Sequence, residues 1–370
     1  MIGRFALRGA PLALLGMMLT SVSASSAPPP PAPATVVRID KIAIPGKPLT
    51  AWDISWVDSA SGKYYLADRS NGSVDVIDGM TDRVIKQIGG FVGNTGKSDT
   101  SGPDGVIVTF SNRELWAGDG DSTVKVIDLT SNTIVATIST GGKFRADEMT
   151  YDPKDNVIVA ANNADDPPFA TIISVGSRTV LKTIPFPNAT NGAEQPVYDS
   201  QTGMVFLSVP ATKANPGGEM AVIDPVKMAV IASYPLNNCG PNGAALGPGN
   251  QLLAGCGNAG RSVILDKTSG AVMKEFSNVG GSDEVWFNPG DNRYYLAEST
   301  PQNLGIIDAT TLNGYETQSG VGAHSVAADQ SSNHIFVPLS AADPSCPTAN
   351  GCIAVYTSAN LENKGKSRAF

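Results

Sequence analysis

Asp53, Asp104, Asp147, Gln195, Asn242, Asp283 and His324 recur at intervals of 41 to 51 residues, each followed within a few residues by a short apolar run. A purely apolar strand does not need a polar residue at the same place in every copy. Brought onto one axis, the four aspartates cannot all stay ionised unaided: their pKa values rise, or a cation settles among them. Glu148, Glu194 and Glu284 flank the column and add to the repulsion. Carboxylate and amide oxygens suit Ca²⁺ or Mg²⁺, and a single imidazole also admits Mn²⁺, Zn²⁺ or Fe²⁺. The expected metal ligands are Asp53, Asp104, Asp147, Asn242 and Glu298. His324, one of two histidines, is the expected acid–base group, with Asp283 and Glu284 beside it. Arg69, Arg145, Gln195 and Glu148 are expected to contact the substrate. The competing reading makes these side chains solvated loop residues or caps on backbone amides at strand starts. His334 falls at a hairpin turn, where a solvated role is expected.

Self-comparison supplies the elements that must carry this column. Trp52–Asp58, Lys63–Asp68, Ser73–Asp78 and Arg83–Ile88 form one unit, and 103–108, 114–118, 123–128 and 133–138 repeat it. Further units open near Ala146, Gln195, Pro241, Ser282 and Ala323. Short runs of alternating polarity, punctuated by Gly, Asn, Asp and Pro, read as strands, and no long segment of helical period interrupts them. Four strands per repeat at this period predict an all-β fold, a seven-bladed β-propeller of four-stranded antiparallel blades. The last repeat lacks a good fourth strand, so Val36–Ile44 is expected to complete it and close the ring. The first strand of each blade would line the central channel. Hairpin index counting then sets Asp68 across from Asp53, Asn162 across from Asp147 and Glu298 across from Asp283.

Tyr65-Leu66-Ala67-Asp68 with Ser73-Val74-Asp75-Val76-Ile77-Asp78 resembles the Y-V-A-N…V-x-V-I-D pattern of the YVTN-repeat (YncE-like) propellers, a family of secreted seven-bladed proteins. The likeness spans nearly all of the chain after residue 35. The family's Asn is Asp68 in the first blade and Glu298 in the sixth. The resemblance implies fold rather than reaction, because propellers host lactonases, lyases, electron-transfer domains and plain binding modules.

Arg4, Arg8 and the apolar stretch Ala10–Val22, followed by small residues at 22–24, predict a signal peptide over 1–24. A Pro-rich linker over 25–35 and a single propeller domain over 36–370 follow. The formal charge of −8 argues against nucleic acid or an anionic membrane as partner. Cys239 and Cys256 are symmetric about the turn at Gly247–Asn250, and Cys346 and Cys352 close a short loop; two structural disulfides and a periplasmic or secreted location are expected. No CxxCH, GxSxG, Rossmann or Walker A pattern is present, so neither haem nor a nucleotide is expected. The expected protein is a monomeric periplasmic enzyme with a cation-assisted acid–base site in its channel. It would act as a hydrolase on a small ester or lactone, or as a lyase on an eliminable substrate. The alternative is a non-catalytic periplasmic propeller that binds a ligand or protein.

Overall fold

The hairpin turns explain why this sequence folds as it does. Asp78, Asp128, Asp224, Asp266 and Asp308 end the third strands of five blades, and each carboxylate accepts backbone N–H bonds from the residues two and three further on. Four residues after each of these aspartates the chain turns left-handed, at Asp82, Asn132, Met228, Gly270 and Leu312. The last residue of the V-x-V-I-D signature is therefore a turn-former that sets hairpin register, as Asx turns do.

The computed structural model describes residues 1–3, 35–109, 113–258, 260–299, 302–320 and 322–358. The leader and linker expected over 1–35 lie outside these residues, apart from 1–3 and Thr35. From Thr35 on, the chain is one compact unit of seven four-stranded antiparallel sheets. The first blade consists of Ser55–Asp58, Lys63–Asp68, Ser73–Asp78 and Arg83–Gly89. Blades two to six span 106–139, 149–185, 196–235, 241–276 and 282–318. In the seventh, Ala327–Ala328, Ile335–Leu339 and Cys352–Ser358 are completed by the N-terminal strand Val36–Ala43, paired from Val36↔Ser358 to Ala43↔Cys352. The ring closes as the sequence predicts.

The core is distributed as seven apolar clusters, one between each pair of neighbouring blades. Second-strand residues such as Tyr64, Leu66, Trp116, Phe206 and Tyr295, and third-strand residues such as Val76 and Val126, fill them. Outer strands leave most of their residues exposed to solvent.

Both disulfides form, Cys239–Cys256 across a hairpin and Cys346–Cys352 within a loop. Loop-closure entropy scales with the residues enclosed, 17 and 6 here. Replacing Cys239 and Cys256 together by Ser should therefore cost ~3 kcal/mol, and the Cys346/Cys352 pair ~2 kcal/mol. Urea unfolding of the two double variants would measure both, and equal or inverted losses would contradict the entropic account.

Candidate functional site

The inner strands of blades one to six start on a β-bulge, and the bulges build the site. Ala67 accepts the amide of Asp53 but donates its own N–H to Ile54, so two residues oppose one. The same offset occurs at Asp104/Gly105 against Gly118, Asp147/Glu148 against Ala161, and Glu194/Gln195 against Ser208. In blades five and six the registers shift across Asn242/Gly243 and Asp283/Glu284. His324 holds the corresponding place in blade seven, its carbonyl accepting the Glu284 amide as the Asn242 carbonyl accepts that of Gln195. Asp53, Asp104, Asp147, Glu194, Asn242, Asp283 and His324 thus occupy the first bulge position. Glu194 replaces Gln195 in the expected column: counting from Gln195 slips by one residue, enough to change the layer a side chain belongs to.

Ligand atoms of Asp53, Asp104 and Asp147 lie within 4.8 Å of one another, and so do those of Asp53, Asp283 and His324. Asp53 is shared, so one arc of carboxylates runs around the axis. Arg69 and Arg145 are ion-paired within this arc. The Arg69 guanidinium donates to both Asp53 and Asp104, the Nε–Oδ1 bond to Asp104 being 2.9 Å. Arg145 Nε donates to Asp147 Oδ2 at 2.7 Å, and the guanidinium also reaches Ser98. Burial pushes the Asp104 and Asp147 carboxyls up, while Arg69 and Arg145 respectively pull them back. Burial works against both guanidinium charges, but the aspartates overcome it and raise the pKa values of the two arginines. Asp104 Oδ2 is left without a hydrogen bond. His324 Nδ1 is 3.5 Å from Asp283 Oδ2, with side chains 26% and 35% exposed, the most accessible of the arc. The imidazole packs edge-on against Trp52 at 5.1 Å.

The second bulge position forms a layer beneath: Ile54, Gly105, Glu148, Gln195, Gly243, Glu284 and Ser325. Here residues meet the next blade. A Cβ at Gly105 would stand 2.4 Å from the Asp147 carbonyl oxygen and one at Gly243 2.6 Å from that of Asp283, so only glycine fits. Gln195 Oε1 accepts the Ala244 amide at 2.7 Å. Glu284 Oε2 accepts the Val326 amide at 3.0 Å and the Ser325 hydroxyl, tying blades six and seven together, and it also faces Ser55. Glu284, 1% exposed, is therefore an interblade tie rather than part of the open mouth. The residue equivalent to Ala244 and Val326 in front of Glu148 is Pro196, which has no N–H. Glu148 Oε2 accordingly has no hydrogen bond, although Glu148 is 4% exposed. Burial first, then Asp147, Asp283, Glu194 and Glu284, push its carboxyl well above the usual range. Burial, Asp147 and Asp283 likewise lift Glu194 to about 8.

Glu298 does not join the arc. The bulge adds a residue to the inner strand, so Glu298 pairs with Ser282 and not with Asp283. Its side chain accepts the Gly280 amide at 2.7 Å and, mainly through burial, rises to about 9. Asp68 and Asn162 are carried away in the same manner: Asp68 holds Asn71, and Asn162 bonds Thr140 and Thr171. These second-strand ends brace their own blades. Asn242 keeps its ring place, with its amide nitrogen beside Gly257. His334 is braced as well, its Nδ1 3.2 Å from the Gly79 carbonyl oxygen.

No protein-family model and no curated protein matches the chain. Among solved structures it is similar to hydrazine synthase of Kuenenia stuttgartiensis, with a TM-score of 0.67 and 13% identity over 87% of this chain and 97% of that one. The shared property is the fold. At that identity the likeness carries no residue of a site across.

Proposed function

We propose that this chain is an exported propeller enzyme of YVTN-repeat type, whose channel mouth binds a divalent cation and processes a small ester, lactone or eliminable substrate. The observation behind this reading is the convergence of Asp53, Asp283 and His324, with ligand atoms within 4.8 Å of one another. A cation between Asp53 and Asp283 would polarise the substrate carbonyl. His324, steered by Asp283, would take the proton from an attacking water or from the carbon next to the carbonyl. Two disulfides are compatible with an oxidising location outside the cytoplasm.

The second reading, a ligand-binding propeller without catalysis, draws support from Arg69 and Arg145, which already neutralise part of the arc. Calorimetric titration with Ca²⁺, Mg²⁺ and Mn²⁺, and a panel of lactones assayed for turnover, separate the two. Asp283→Asn should weaken cation binding by about tenfold or more, and His324→Ala should lower kcat by about 10²–10⁴. Wild-type levels of binding and turnover in both variants would end the enzymatic proposal.

A further inference from the structure

Beneath the second layer the channel holds a cavity of about 270 Å³. First strands of six blades line it, and Trp56, Trp286, Phe287, Tyr198 and Met149 give it an aromatic and aliphatic wall. Among the described residues lining it, Glu148 and Glu284 are the only charged ones, and none is cationic. Glu284 is tied to Ser325 and Val326, whereas buried Glu148 Oε2 has no hydrogen-bond partner. Trp56 and Trp286 meet edge-on at 4.9 Å, and Trp56 Nε1 is also without a partner.

We propose that this cavity binds a small hydrophobic ammonium compound, its cationic head on the Glu148 carboxylate and its apolar body against Trp56 and Trp286. A carboxylate facing aromatic rings suits such a ligand twice over, through ion pairing and through the negative ring faces. An anion would meet Glu148 together with Asp147, Asp283, Glu194 and Glu284, the acids that surround it.

The test compares benzylamine, benzyl alcohol and benzoate by calorimetry at pH 7, with tryptophan fluorescence as a second readout. Benzylamine should bind about tenfold or more tightly than benzyl alcohol, while benzoate should not bind. Glu148→Gln should remove about tenfold of the benzylamine affinity and leave benzyl alcohol unchanged. Trp286→Ala should weaken both ligands, and Trp286→Phe should restore them. His324→Ala should keep benzylamine affinity within about twofold, so that a failed cation site and a failed cavity give different results. The proposal is overturned if benzylamine does not bind, if benzyl alcohol or benzoate matches it, or if Glu148→Gln leaves it unchanged.

Discussion

Arg69→Met is expected to destabilise the protein by ~3–5 kcal/mol at pH 7, the cost of leaving a buried charge without its partner. The guanidinium bridges Asp53 and Asp104, which come from different blades, and its side chain is 8% exposed. Without it Asp104, fully buried, faces repulsion from Asp53 and Asp147 and keeps only the weaker pull of Arg145. Urea unfolding measures the loss. Adding Asp104→Asn in the same chain should recover part of it, because the neutral amide leaves no charge to stabilise. A loss below ~0.5 kcal/mol, the range of ordinary surface substitutions, would show that the arc does not depend on this arginine.

Thermal stability should peak near pH 5 and fall by ~5 °C or more towards pH 9. Glu194 and Glu298 are raised to about 8 and about 9, above the values they take in an unfolded chain. A carboxyl raised by folding binds its proton more tightly in the native state. Its contribution is complete below the unfolded pKa, falls as pH rises above that value, and is gone beyond the folded one. The window therefore runs from ~4.5 up to about 9. The acid side has the opposite cause. Burial opposes ionisation of Asp199, but bonds from Lys267 and Thr202 prevail and lower its pKa, and Asp329 is lowered by Ser331 and Ser332 against the same opposition. Stability from these two is present above the unfolded value of ~3.9 and is lost as pH drops through their lower native values. Glu298→Gln should flatten the alkaline limb in a calorimetric melting series. A wild-type maximum at pH 8 or above would contradict the assignment.

Repetition made the fold readable. Five of the seven repeats carry the turn-forming aspartate, so weak local signals reinforce one another, and the unpaired Val36–Ile44 strand follows once the last repeat is seen to be short. The site was readable only by column. Asp53, Asp104, Asp147, Asn242, Asp283 and His324 stand where the repeat alignment puts them. Glu298, Asp68 and Asn162 do not, because an extra residue in each inner strand breaks the index counting of a regular hairpin, and no composition rule announces a bulge. The same one-residue uncertainty hid Glu194 behind Gln195. Arg69 and Arg145 look like loop-end charges in the sequence; their pairing with acids on adjacent blades exists only once the ring is closed. The orphaned oxygen of Glu148 needs both the bulge register and the knowledge that Pro196 faces it.

Pairing of Val36–Ala43 with Cys352–Ser358 joins segments more than 300 positions apart. Chain synthesis runs from the N-terminus, so the first strand to emerge must wait for almost the last before it finds its neighbour. Until then, six blades can stack as an open arc with raw edges at both ends, and a contact this distant in sequence is slow to form. Completion of the circle is thus the concluding event of maturation, and the half-made arc is the species for which a chaperone would be needed.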